Sequence, residues 1–218
     1  MKYVAFITAL LSFAFALRAV DLPCAREDFS RFDPGKTRQI GKNSELIICS
    51  ENGMHFRRIM NSGNLLTGFQ YVVDNQKQNY MLHIRFRVPD GKLFGKLVFD
   101  FHIKELRSDK QRGRQYNRFI LTASKLSFSA FKAEAFLTEK EHLPAETSAD
   151  ISQPLQPGIW YDLYLRAEKD RFSAVVKENE AVKGNLEAEI FGGSGTYKMD
   201  FHGQIDLSLI ESFAIRPD

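Results

Sequence analysis

The sequence predicts an all-β protein: a two-sheet antiparallel jelly-roll β-sandwich preceded by a signal peptide. Three observations carry this. Apolar and polar residues alternate with a period of two, most clearly in residues 79–88 and 96–104, which marks strands with one buried and one wetted face. Turn signals recur between such segments, among them Glu51-Asn52-Gly53, Pro89-Asp90-Gly91 and Gly192-Gly193-Ser194-Gly195. Helical stretches are few, and 218 residues with 19 Phe supply one sizeable aromatic core. A jelly roll fits this length better than an immunoglobulin fold, which orders cysteine, tryptophan and cysteine along the chain.

Residues 1–19 read as the signal peptide. A short, weakly basic start is followed by the uncharged apolar run 4–17 and by small-residue cleavage patterns at Ala14-Phe15-Ala16 and Leu17-Arg18-Ala19. The run falls short of the roughly 20 apolar residues a membrane span needs. No later segment is apolar enough to cross a bilayer, so no stable span is expected once the leader is cleaved. The expected location is secreted, periplasmic or cell-surface. Residues 20–43 are polar and turn-rich and read as an amino-terminal arm, with 44–218 forming the sandwich domain. In that domain 44–50 and 54–59 form a hairpin, and 65–73 is a strand or an irregular crossing. Residues 79–88 and 96–104 are the cleanest strands, with Tyr80, Leu82, Ile84, Phe86 and Val88, then Leu97, Phe99, Phe101 and Ile103, pointing inward. A hairpin follows at 119–131, and residues 132–143 suit either a short helix or an edge strand. Residues 144–157 form a loop with three prolines. The stretches 160–167 and 171–177 pair about the turn Glu168-Lys169-Asp170-Arg171, and 197–209 and 212–216 complete the sheets.

Cleavage after Ala19 removes Lys2 and Arg18 and leaves 28 cationic against 27 acidic side chains. A near-neutral mature chain gives no general argument for nucleic-acid binding. In an oxidising compartment the two cysteines, Cys24 and Cys49, are expected to pair. Their lack of CxxC spacing speaks against a zinc site, and no metal or cofactor motif is legible.

Four segments carry a family likeness: Tyr80-Met81-Leu82-His83-Ile84-Arg85-Phe86-Arg87-Val88-Pro89, Pro157-Gly158-Ile159-Trp160-Tyr161-Asp162-Leu163, residues 169–177, and Glu211-Ser212-Phe213-Ala214-Ile215-Arg216-Pro217. The chain resembles the concanavalin A-like lectin/glucanase sandwich, including its laminin-G-like members, and is nearest to the bacterial 3-keto-disaccharide hydrolase domain. The family's Asn-Ser-Gly-Ile segment has no counterpart here, and its Asn-Gly turn reads Glu178-Asn179-Glu180. The resemblance implies a sandwich fold and association with glycans, more than hydrolysis.

Glycoside cleavage needs two carboxyl groups across the scissile bond. Glu187-Ala188-Glu189 reads as a solvated edge. Asp100-Phe101-His102 and Asp200-Phe201-His202 each set Asp and His on one strand face. If their strands are neighbours, these four residues converge in a set suited to acid–base work, metal binding or sugar hydrogen bonding; otherwise they are an ordinary wetted face. His83, Arg85 and Arg87 share a face and form a candidate ligand contact. Residues 104–118 hold six basic residues against Glu105 and Asp109 and read as a long loop, either a solubilising one or, through Arg112 and Arg114, one that touches an acidic polymer or a membrane surface. Trp160 reads as a core plug. The leading expectation is non-catalytic binding of carbohydrate or another extracellular ligand. The alternatives are a glycoside-cleaving hydrolase and a cell-surface structural or interaction protein.

Overall fold

A strand that alternates as 80–87 does requires a second apolar layer over its inner face, and the computed structural model supplies it as two antiparallel sheets. The structure describes residues 20–28, 39–41, 44–52, 54–61, 67–71, 79–108, 111–133, 146–190 and 196–215. The signal-peptide segment, the helix-or-strand alternative for 134–143 and Arg216-Pro217 lie outside them.

The strands in chain order are β1 (Val20–Asp28), β2 (Gln39–Gly41), β3 (Ser44–Glu51), β4 (Met54–Asn61), β5 (Thr67–Tyr71), β6 (Tyr80–Arg87), β7 (Lys96–Ser108), β8 (Gln111–Leu121), β9 (Lys125–Ala133), β10 (Thr147–Asp150), β11 (Tyr161–Glu168), β12 (Arg171–Glu178), β13 (Ala181–Glu189), β14 (Thr196–His202) and β15 (Ile205–Ile215). A nine-stranded sheet runs β13-β12-β11-β6-β15-β4-β3-β2, with β1 added beside β15, and a six-stranded sheet runs β10-β9-β8-β7-β14-β5. The meander β7 to β10 thus lies in one sheet and the meander β11 to β13 in the other. β14 then returns beside β7, and β15 returns beside β6.

The core lies between the sheets. Leu82, Ile84 and Phe86 of β6 are fully buried, as are Phe99 and Phe101 of β7 and Leu163 and Leu165 of β11. Phe172 of β12 spans the gap and stacks on Phe101 and Phe128 of the opposite sheet, at 4.9 and 5.4 Å between ring centroids. Tyr161 closes one end, where its hydroxyl accepts a 2.8 Å hydrogen bond from the Gln156 amide.

Gly184 is a close-approach position on β13. A Cβ there would lie 2.8 Å from Leu126 Cδ1 of the opposite sheet and 3.3 Å from Ile151 Cγ1. Gly184→Ala is therefore expected to lower unfolding free energy by about 1–3 kcal/mol through overpacking. A urea titration showing an unchanged midpoint would refute that.

The structure departs from the sequence-based expectations at five places. The arm contributes β1 and β2 to the nine-stranded sheet. The proline-rich stretch 144–157 holds the short strand β10, paired with β9 at Ser127 and Phe128. Residues 104–108 and 111–118 are not a loop: β7 and β8 continue through them, paired from Lys104↔Gln115 to Ser108↔Gln111. His102 does not keep the outward place its alternation implied: it is buried, with φ of 51°, at a bulge in β7. Finally, Cys49 carries a thiol and no disulfide. The pairing explains why. The Cys24 backbone falls between the Pro23↔Phe213 and Ala25↔Ser212 pairs of β1 with β15, whereas Cys49 pairs with Phe56, next to Arg57, which faces Leu207. Several residues of strand rise, about 3.4 Å each, separate the two along β15, beyond the reach of an S–S bridge.

Candidate functional site

The outer face of the six-stranded sheet is built by the alternation of β7 and β8. Phe99 and Phe101 turn into the core, which leaves Asp100 on the other side. Across β8, Arg118 pairs with Asp100 in register. The guanidinium closes a two-bond fork: Nε donates to Asp100 Oδ1 at 2.7 Å, and Nη2 donates to Oδ2 at 2.8 Å. Two parallel charge-assisted bonds fix both planes. Two residues earlier on β8, the Tyr116 ring lies 5.1 Å from the Arg118 guanidinium carbon, within cation–π range. The Arg118 side chain is 34% exposed and the Asp100 side chain 11%, so the pair is pre-organised yet reachable. Ile120, Ser127 and Ser129 are half-buried neighbours on β8 and β9.

The two Asp-Phe-His segments do lie on neighbouring strands at the backbone, since β7 pairs with β14. The register sets Lys198 opposite Asp100, Asp200 opposite Val98, and His202 opposite Lys96. Asp200 is thus diagonal to Asp100, and His202 stands one step further away. The fourth member, His102, leaves the set. Its ring packs edge-on against Phe101 at 5.2 Å.

His83, Arg85 and Arg87 lie on the nine-stranded sheet; His83 and Arg85 share Asp162, and Arg87 has other partners. His83 is held on both ring nitrogens, Nε2 by Asp162 Oδ1 at 2.8 Å and Nδ1 by Glu211 Oε2 at 3.4 Å. Its ring stacks on Tyr164 at 4.4 Å. Burial pushes the Tyr164 hydroxyl pKa up, and the Asp162 charge adds to that. Arg85 is the open member, 44% exposed and 3.9 Å from Asp162. Arg87 is buried. Its guanidinium lies 4.9 Å from both the Phe56 and Trp160 rings and pairs with Glu51 at 2.6 Å and Asp206 at 2.9 Å. Burial alone would lower the Arg87 pKa, but hydrogen bonds to Glu51 and Asp206 outweigh it and raise it. Trp160 is half-buried and serves as one wall around Arg87. Beside it lies an open cleft of about 400 Å³ lined by Cys49, Glu51, Phe56, Arg58, Arg87, Pro89 and Asp90.

Arg112 and Arg114 stand on the β7–β8 ribbon, where Arg112 pairs with Arg107 and Arg114 with Glu105. The sequence points to Asp100 but not to Arg118 and Tyr116, because charges without apolar alternation read as loop over residues 104–118. The signal was present: Arg112, Arg114, Tyr116 and Arg118 recur at every second position. Among the described residues, no three His, Cys, Asp or Glu side chains group as metal ligands, and no helix is long and apolar enough to cross a membrane.

No family model matches the chain, and no curated protein matches it. Solved structures do. The legume lectin-like domain from Entamoeba histolytica aligns over 82% of this chain and 87% of its own, at 8% identity and a TM-score of 0.49. The carbohydrate-binding module CBM66 from Bacillus subtilis aligns over 78% and 92%, at 13% identity and 0.42. The galectin LEC-6 from Caenorhabditis elegans aligns over 68% and 92%, at 13% identity and 0.42. At these identities and scores the likeness transfers neither ligand nor activity.

Proposed function

We propose that this chain is an exported, concanavalin A-like jelly roll that binds carbohydrate on the outer face of its six-stranded sheet. One observation carries the reading: the Asp100–Arg118 fork beside Tyr116. A sugar offers adjacent hydroxyls, each both donor and acceptor, and an apolar C–H face. Asp100 supplies acceptors and Arg118 supplies donors in one fixed plane. The Tyr116 ring supplies a surface on which the C–H face can stack. Rigid strands hold all three, so little ordering opposes binding. The leader-like residues 1–19 support export to where glycans are met.

The expected result is that Arg118→Ala weakens binding on a glycan panel by about tenfold or more, since a hydrogen bond to a charged group contributes about 1.5–3 kcal/mol. Calorimetry with the best-bound glycan checks this. Equal affinity in the variant would remove the face from consideration.

A second reading, glycoside cleavage, is favoured by the diagonal placement of Asp200 and Asp100 on paired strands. Backbone positions so related stand about 7–8 Å apart, and glycoside cleavage needs two carboxyl groups across the scissile bond. Product formation from keto-sugar glycosides that stops in both Asp100→Asn and Asp200→Asn would establish it. Binding without turnover would leave the lectin-like reading alone.

A further inference from the structure

The cleft of about 400 Å³ beside Trp160 belongs to the nine-stranded sheet, away from Asp100, Tyr116 and Arg118. Its size falls within the range of roughly 300–1,000 Å³ that small-molecule sites occupy. Its walls carry two guanidiniums, and these are tied to two carboxylates that are held in very different ways.

Asp206 is fully buried and accepts from Nε and Nη2 of both Arg58 and Arg87. One carboxylate thus answers two cations. The second negative charge comes from Glu51, which meets Arg87 Nη2 at 2.6 Å. The Arg87 side chain is 8% exposed and the Glu51 side chain 47%. A cation this enclosed needs an anion beside it, whereas a half-exposed carboxylate is weakly held.

The topology makes Glu51 exchangeable. It is the last residue of β3, just before the turn at Asn52, where φ is 51°. β4 and β15 stand between β3 and β6. Two extended side chains therefore make the contact over the sheet, and no ladder hydrogen bond depends on it. The position beside Arg87 calls for an anion, but the residue that fills it can swing into solvent without disturbing a strand.

We infer that this cleft binds a small hydroxylated monocarboxylate, whose carboxylate replaces that of Glu51 on Arg87. The site is separate from the sugar-binding face and does not depend on it. A single negative charge fits, because Asp206 already answers one of the two guanidiniums. A phosphate dianion would bring surplus charge next to Asp206 and Asp90. Phe56 and Pro89 give the wall its apolar part, and Asp90, which is exposed, offers acceptors to ligand hydroxyls. Gly158, at φ of 83°, makes room for that carboxylate: a Cβ there would collide with Asp90 Oδ1. Glu51 is then a built-in competitor, so removing it tightens binding, where removing an ordinary wall residue would weaken it.

The test follows backbone amide shifts while mandelate, or its uncharged counterpart mandelamide, is titrated into the parent chain and into Glu51→Ala. Mandelate should shift Cys49, Phe56, Arg87 and Asp90 in both chains. It should bind Glu51→Ala about fivefold or more tightly than the parent, because no ion pair has to be displaced. Mandelamide should leave these residues unmoved. Glu51→Gln keeps the side-chain length without the charge, and it repeats the comparison should Glu51→Ala fold poorly. Mandelate affinity that is equal or lower in both Glu51 variants overturns the inference. Mandelamide binding as strong as that of mandelate overturns it too, as does mandelate that leaves the cleft residues unmoved in every chain.

Discussion

Asp206→Ala is expected to destabilise the fold by about 3–5 kcal/mol, the cost of breaking a buried ion pair from one side. Asp206 is fully buried on β15 and takes four hydrogen bonds: from Arg58 Nε at 2.6 Å and Nη2 at 3.0 Å, and from Arg87 Nε at 3.1 Å and Nη2 at 2.9 Å. It ties β4 and β6 to the strand between them. Without it Arg87 stays enclosed by Phe56 and Trp160, with Glu51 its one remaining acidic partner among the described residues. Truncating the other partners should cost less. Arg58 has 29% of its side chain exposed, so Arg58→Ala leaves Asp206 still paired with Arg87, at about 1–2 kcal/mol. Glu51 is 47% exposed, so Glu51→Ala should cost under about 1 kcal/mol. Urea unfolding of the three variants gives the order. An Asp206→Ala value at or below that of Glu51→Ala would mean the buried cluster does not hold these strands.

Phe172→Ala should destabilise by a similar amount, about 3–5 kcal/mol. Phe172 is the side chain by which β12 reaches the other sheet. It packs on Phe101 at 4.9 Å, Phe128 at 5.4 Å and Phe119 at 5.6 Å, one ring from each of β7, β9 and β8. Removing it opens a cavity under the centre of the six-stranded sheet that rigid flanking strands cannot collapse into. Phe172→Leu keeps most of the volume and should lose less than half as much. Equal midpoints for the Ala and Leu variants would show that this stack is not where the two sheets are joined.

Strand positions were legible where one face meets core and the other meets water. β6 could be read from Tyr80 to Arg87 because its inner residues pack on the opposite sheet while Met81, His83 and Arg85 do not. The same rule failed for residues 104–118. There arginines stand at the alternate positions 112, 114 and 118 and no apolar residue alternates with them, so the charges look like a loop. His102 was misplaced for a different reason. A bulge is set by the pairing of β7 with β8 and β14, and nothing in Asp100-Phe101-His102-Ile103 announces the extra residue. The candidate site was half legible: Asp100 could be named, but its partner Arg118 follows only from a register across 18 residues. Arg87 shows the converse, since its place on a charged strand face suggested ligand contact, whereas Asp206, 119 residues away, holds it within the protein.

The most direct measurement for the sugar-binding face is a map of backbone amide shifts during titration of the folded chain with a bound glycan. The account predicts that shifts concentrate at Asp100, Tyr116 and Arg118 and their neighbours on β7, β8 and β14, with His83, Tyr164 and Arg85 on the other sheet unmoved. Shifts centred on His83 and Tyr164, with β7 and β8 silent, would contradict it.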